Sequence, residues 1–230
     1  MYHVSEIFES IQGEGNYAGA YSLFVRFQYC NLACAWCDTK YTWNDHSGQH
    51  TPWTTEALKQ RIAESRSQNI IFTGGEPTLY ALDQLVIPGK KYHVETNGTL
   101  ISTQRLDITL NSGKRFVRQA MEASVIKDFN WVVSPKLSNS GQSRSDESIK
   151  YWAKQPFAIF KFVTRNRQDL DEVEQWLSDF SIDRSKVYIA LEGQTAASQL
   201  NPDMVDEMVR RGFHFSPRLH VLLWGNKREK

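Results

Sequence analysis

Cysteine is scarce in this chain: the 230 residues contain three, and all three fall within eight positions of one another. An odd, crowded set of thiols does not make a disulfide framework. Charge of neither sign prevails. Lys and Arg number 27 against 26 for Asp and Glu, and the net charge of +1 supplies no field to draw in nucleic acid or anionic lipid. Apolar runs long enough to span a bilayer are missing, and the opening MYHVSEIFESIQGEG lacks the basic, apolar and small succession of a signal peptide. Repeats and strongly biased segments are missing too. These absences argue against a secreted disulfide scaffold, a membrane protein and a nucleic-acid binder. They predict a cytoplasmic protein whose substrate is small.

What remains is a composition of 40% hydrophobic and 12% aromatic residues, enough for one substantial core and a single domain over 1–230. Short runs rich in β-branched and aromatic residues recur at 22–27, 69–73, 91–96, 130–134, 157–163 and 186–191, and read as buried parallel strands. Helical patterns lie between them. One covers 55–66 with Ala57, Leu58, Ile62 and Ala63, and another 168–180 with Leu170, Val173, Trp176, Leu177 and Phe180. A third is bounded by Asn201 as N-cap, Pro202 at the first helical position and Gly212 at the end, with Met204, Val205, Met208 and Val209 as its stripe. This β/α order predicts an α/β fold with a mostly parallel sheet, an incomplete (β/α)6 TIM-type barrel of about six core strands. Residues 38–54 read as a loop. Residues 100–129 read as an insertion with a short helix over 114–124, and 138–147 (SNSGQSRSDE) as a flexible polar stretch.

Ligands of a parallel sheet bind beyond the carboxyl ends of its strands. Those ends are polar or glycine-rich here: the cysteine loop, Thr73–Pro77 (TGGEP), Glu95–Thr99 (ETNGT), Ser134–Lys136 (SPK) and Glu192–Thr195 (EGQT). The cysteines, Cys30, Cys34 and Cys37, have the spacing C-x3-C-x2-C. Thiolates so close on one loop converge on one metal centre. A structural zinc site wants four ligands, whereas three cysteines on a four-iron cube leave one iron for an outside ligand. Two blander readings stand beside this one: a zinc knuckle completed by His46 or His50, and buried cysteines as core filler. His3, His93 and His214 read as surface or core residues.

The triplet, with Trp36 before its last cysteine and GGEP one strand later, resembles the radical S-adenosylmethionine superfamily. Ser10–Gly15 (SIQGEG), Arg26 and Cys37–Asp38–Thr39 narrow the resemblance to the family of 7-carboxy-7-deazaguanine synthases. It implies a 4Fe-4S cluster on Cys30, Cys34 and Cys37, with S-adenosylmethionine chelating the fourth iron and furnishing a radical that abstracts hydrogen. It further implies a lyase of queuosine-type 7-deazapurine biosynthesis, which turns 6-carboxy-5,6,7,8-tetrahydropterin into 7-carboxy-7-deazaguanine and ammonia, with Mg2+ on Thr39. No side chain of the chain itself would be the reacting group. Substrate contacts fall on Ile11, Gln12, Gly13, Glu14, Arg26, Thr96 and His220. Cofactor contacts fall on Trp36, Gly75, Glu76, Gly98, Ser134, Pro135, Lys136, Glu192, Gly193 and Gln194. A flavodoxin or ferredoxin as reductant and a homodimeric state belong to the same implication. Two other readings use the cysteines: a glycyl-radical activating enzyme, and a non-enzymatic iron-sulfur or zinc module. The charged end VLLWGNKREK after His220 has no counterpart in the family pattern.

Overall fold

The structure, a computed structural model, describes residues 1–43 and 49–230; His46 lies outside the described residues. Eleven strands and six α-helices follow one another in the described chain. The strands are β1 (Tyr2–Ile11), β2 (Tyr21–Phe27), β3 (Thr51–Trp53), β4 (Asn69–Gly74), β5 (Lys91–Thr96), β6 (Leu106–Thr109), β7 (Arg115–Arg118), β8 (Asn130–Val133), β9 (Ala158–Thr164), β10 (Val187–Leu191) and β11 (His214–Phe215). The helices are α1 (Thr55–Glu64), α2 (Ala123–Ile126), α3 (Asp146–Ala153), α4 (Arg167–Phe180), α5 (Pro202–Arg210) and α6 (Leu219–Trp224).

Nine strands form one open sheet in the order β11-β10-β9-β8-β5-β4-β2-β1-β3. The run from β2 to β11 is parallel throughout, while β1 pairs antiparallel with both β2 and β3. The six apolar runs of the sequence are the six longest parallel strands, and no closed barrel forms among the described residues. Apolar side chains fill the space between sheet and helices: α4 sinks Leu170, Val173, Trp176, Leu177 and Phe180 against the sheet, and Asn201 caps α5 by accepting from the Met204 amide. The stripe of α5 is narrower than its sequence suggested, since Val209 is exposed. On α1 only Leu58 and Ile62 are buried.

Three expectations change. The N-terminal stretch is a strand, so the SIQGEG motif begins in the last two residues of β1 and continues into the loop after it rather than leading into the first strand. Its alternation was masked by Glu6, a carboxylate buried on the apolar face because Arg26, Tyr41 and Arg228 all reach it. Part of the expected loop 38–54 is β3, which extends the sheet beside β1. Residues 114–124 do not form one helix. Arg115–Arg118 pairs with β6 as a separate two-stranded sheet, and only Ala123–Ile126 is helical.

Arg118 explains the helix miss. A basic residue in an apparent amphipathic helix reads as solvent-facing, yet its buried guanidinium donates to the carbonyls of Thr78, Ser102, Gln104 and Gln119 at 2.7–3.2 Å. It ties the 100–129 segment to the turn after β4. Arg118→Met leaves the carbonyl of buried Thr78 without this donor, while that of Ser102 keeps the Met121 amide at 3.0 Å and Gln104 and Gln119 are exposed; a buried orphan costs about 1–3 kcal/mol. The expected loss is therefore about 1–3 kcal/mol in urea denaturation of the protein; a change within about 0.5 kcal/mol, as for an ordinary surface site, would refute the tie.

Candidate active site

One cavity of about 490 Å³ opens at the carboxyl ends of the parallel strands, a size suited to a small ligand. Side chains from β1, β2, β4, β5, β9 and β10 face it, together with the cysteine loop and the segment after β11. Cys30, Cys34, Cys37, Thr39 and Trp36 all line it.

The cysteine loop leaves β2 through Tyr29, a residue held at φ 75°, an unusual conformation for a bulky side chain. Its ring is buried, and its hydroxyl accepts from Lys114 Nζ at 3.0 Å. From there the loop is fixed by the segment that read as flexible. Ala35 N–H donates to the Ser140 carbonyl (3.0 Å), Gln142 Nε2 to the Ala33 carbonyl (3.0 Å) and Trp36 Nε1 to Asn139 Oδ1 (2.9 Å). The polar composition of 138–147 is thus hydrogen-bond wiring, which composition alone does not separate from disorder. Asn97 completes the frame by donating to Asn31 Oδ1 at 2.9 Å, and the Leu32 amide lies 3.4 Å from the sulfur of Cys30.

The thiols fit a cluster. Among the described residues no three His, Cys, Asp or Glu side chains are grouped so as to hold a single metal ion, yet all three cysteines border one cavity. Burial, followed by the nearby Glu76 carboxylate, pushes the Cys30 thiol up to about 12, and burial raises Cys34 as well. Such sulfurs become thiolates only against a strong local positive charge, which iron supplies. His50 does not complete a zinc knuckle: its ring packs on His3 and Tyr29, with centroids 5.0 and 5.4 Å away.

Thr39 heads the short turn Lys40–Thr42, but its hydroxyl makes no capping bond; its carbonyl accepts from Thr42 instead. Arg26 spends only Nε on Glu6, at 2.7 Å, and faces the cavity. Ile11, Gln12, Gly13, Glu14 and Thr96 line the same space. His220 does too, seated directly on Gly13, where an added Cβ would come within 2.1 Å of its Nδ1. Gly75, Ser134, Lys136, Glu192, Gly193 and Gln194 also reach the wall.

Three residues named from the sequence do not. Glu76 is fully buried behind the wall, its carboxylate accepting from the amides of Thr78 (3.0 Å) and Asn97 (2.7 Å) and from the hydroxyls of Thr78 (2.6 Å) and Thr96 (2.7 Å). It braces the turn after β5 and does not line the cavity. Gly98 is required for packing: at φ +75° an added Cβ would sit 2.5 Å from Val133 Cγ1. Pro135 lies outside the lining, because Ser134 and Lys136 alternate toward the cavity and Pro135 away from it.

Two cations were missed. Lys161 lies in the middle of the apolar run FAIFKFV, and Arg218 in a stretch with no motif; neither carries a sequence signal beyond a charge where burial is expected. Lys161 Nζ donates to Glu95 Oε2 at 2.9 Å and also to Glu14 Oε2. Arg218 Nε donates to Glu14 Oε1 at 2.9 Å, one terminal nitrogen to the Gly193 carbonyl at 2.6 Å, and the other to Asp38. Burial works to raise the Glu14 carboxyl, but Lys161, Arg218 and His220 outweigh it and hold the group well below the usual carboxylate range. Burial leaves Glu95 raised despite Lys161, with the neighbouring Glu14 charge adding to the shift. The chain end also returns to the site: Arg228 Nε donates to Glu6 Oε1 at 2.5 Å, and Asn226 Nδ2 to Gln194 Oε1 at 2.8 Å.

A three-thiol loop at the strand ends of a parallel α/β sheet, bordering a cavity for a small ligand, defines a radical S-adenosylmethionine enzyme, and the Radical SAM superfamily matches residues 24–123. The chain is 34% identical over 235 residues to the 7-carboxy-7-deazaguanine synthase of Pyrobaculum aerophilum, covering 99% of this chain and 96% of the relative. It is 32% identical to that of Hyperthermus butylicus, covering 96% and 92%. The chain belongs to the 7-carboxy-7-deazaguanine synthase family. The crystal structure of QueE from Escherichia coli has the same fold, with a TM-score of 0.69 at 20% identity over 95% of this chain and 94% of that one.

Proposed function

We propose that the protein converts 6-carboxy-5,6,7,8-tetrahydropterin to 7-carboxy-7-deazaguanine and ammonia, a ring contraction in queuosine-type 7-deazapurine biosynthesis. The observation that carries this reading is that one cavity joins the three thiols to Thr39, Arg26 and the Gln12–Glu14 loop. When bound, the cluster and S-adenosylmethionine supply a 5′-deoxyadenosyl radical for hydrogen abstraction. The residues of the chain bind, orient and shield. Arg26, with its terminal nitrogens free of Glu6, pairs with the substrate carboxylate. Gln12 and Glu14 meet the polar edge of the pterin. Gly75, Ser134, Lys136 and the Glu192–Gln194 turn receive the cofactor, and the α/β walls exclude water.

Mg2+ on the Thr39 hydroxyl, with water and the substrate carboxylate filling its shell, suits an ion that takes few protein ligands. The hydroxyl makes no capping bond and lies 3.7 Å from the Cys37 sulfur, beside the thiols, which supports this. Thr39→Ala is expected to raise the Mg2+ concentration for half-maximal turnover by about tenfold, while Thr39→Ser stays near wild type. A magnesium titration that overlays for all three proteins would sink the assignment.

The open sheet is read as an incomplete (β/α)6 barrel in a single domain, 100–129 being its insertion. Support comes from the side chains of β2, β4, β5, β9 and β10, which border one cavity only if the sheet curls around it. A flavodoxin or ferredoxin as electron donor and a homodimeric assembly rest on the family resemblance. The deciding experiment is an anaerobic assay of reconstituted protein with the carboxylated tetrahydropterin. Formation of the deazaguanine acid is expected; cofactor cleavage that leaves this pterin untouched would overturn the reading.

A further inference from the structure

Glu14 and Glu95 come from different parts of the fold, the loop after β1 and strand β5, yet their Oε2 atoms meet on a single ammonium, that of Lys161 on β9. All three line the cavity, and the three side chains are only 10–16% exposed. The second oxygen of Glu14 is met by Arg218, and that of Glu95 by Gln12 Nε2 at 3.0 Å. An ionised carboxylate offers about four acceptor positions, so each group retains acceptor capacity toward the cavity.

We infer that Lys161 is the positioning residue of the substrate-reading wall: its ammonium holds Glu14 and Glu95 side by side as a pair of acceptors for a ligand edge with adjacent N–H donors. The inference rests on the pterin reading above, since the amide and amine of a 2-amino-4-oxo ring form such an edge. Two buried carboxylates this close share a proton unless a cation sits between them. The charges facing the pair are Lys161, Arg218 and His220, with Asp38 beyond Arg218. His220 Nε2 lies 3.9 Å from Glu14 Oε1, beyond hydrogen-bond reach, and burial disfavours its charged form. Arg218 is shared with Asp38 and touches Glu14 alone. Lys161 is therefore the group that bridges both.

The sign of the pH effect follows. Without the ammonium the pair takes up a proton, and a protonated carboxyl presents a donor where the ligand also presents one. Binding then weakens at low pH and recovers as rising pH strips the shared proton. The test is anaerobic equilibrium binding of the carboxylated tetrahydropterin to the reconstituted enzyme, for wild type, Lys161→Met and Lys161→Arg, each variant checked for its circular dichroism and cluster absorption. At about pH 6.5 the methionine variant should bind at least about tenfold more weakly than wild type, and the gap should narrow toward pH 9. The arginine variant should stay within about threefold of wild type at every pH. Should the methionine variant not fold, Lys161→Gln, which keeps polarity and loses charge, carries the same expectation. A loss of equal size at every pH, or no loss, would overturn the positioning role. Wild-type enzyme that does not bind the pterin would instead overturn the substrate reading, and this inference with it.

Discussion

Gly75→Ala is expected to lower stability by about 3 kcal/mol and turnover by about 100-fold or more, although it adds one methyl group. The new Cβ would lie 1.9 Å from the Tyr29 carbonyl oxygen, 2.4 Å from its carbon and 3.0 Å from the Cys30 nitrogen. These neighbours are backbone, which cannot swing aside as a side chain does. They are also zipped in place: the Gly75 amide donates to the Phe27 carbonyl at 3.0 Å and the Glu76 amide to that of Tyr29 at 2.8 Å. Relief demands that β2 and β4 separate just where β2 delivers Cys30. Stability and catalysis should therefore fall together, the first read by denaturation without cofactors and the second by turnover after reconstitution. Gly89→Ala is the control. Gly89 has φ +80° but nothing within 4 Å of an added Cβ, so it carries conformational strain without a clash and should cost about 1 kcal/mol with turnover intact. If Gly75→Ala behaved like the control, the tight approach of the two strand ends would not be what sets the cysteine loop.

This glycine also marks what the sequence discloses and what it hides. The six longest parallel strands were legible because each is rich in β-branched and aromatic residues, with neighbouring positions buried on both faces, and α4 because its apolar stripe is complete. β1 was not, since Glu6 interrupts its buried face and is tolerated there only through Arg26, Tyr41 and Arg228, which come from distant parts of the chain. The hairpin β6–β7 was misread for the same reason, with Arg118 as the buried charge. At the site, the cysteine spacing and the polar strand ends located the cavity, but adjacency in sequence does not say which way a residue faces. Glu76 stands beside Gly75 and points inward to four donors; Pro135 stands between two lining residues and turns away. Lys161 and Arg218 were invisible because a buried cation is recognised by its partners, and Glu14, Glu95 and Asp38 are 147, 66 and 180 positions away. Long-range ion pairing is the part of this site that local pattern cannot carry.

The largest separation between effects on chemistry and on folding is expected at Cys34. This thiol is 8% exposed, and burial keeps it protonated in the absence of iron, so before reconstitution it behaves as a small apolar side chain. Cys34→Ala should then cost the cofactor-free protein only about 1 kcal/mol, the loss of one buried sulfur. The loop itself should persist, because the bonds from Ala33 and Ala35 to Gln142 and Ser140 involve neighbouring backbone rather than the thiol. Reconstitution is another matter. Two cysteines cannot hold the cluster that three would leave with one open iron. The variant should lack the visible iron-sulfur absorption, release no 5′-deoxyadenosine on reduction, and lose turnover by about four orders of magnitude or more. Iron content, visible absorption and a urea denaturation curve measured on the same preparation check all three statements. A variant that kept its cluster would show that a different group completes the site, and one that failed to fold without iron would show that Cys34 holds the loop by packing. Folding tolerance with chemical loss is the signature of a residue present for the metal, and Cys30 and Cys37, on the same wired loop, should share it.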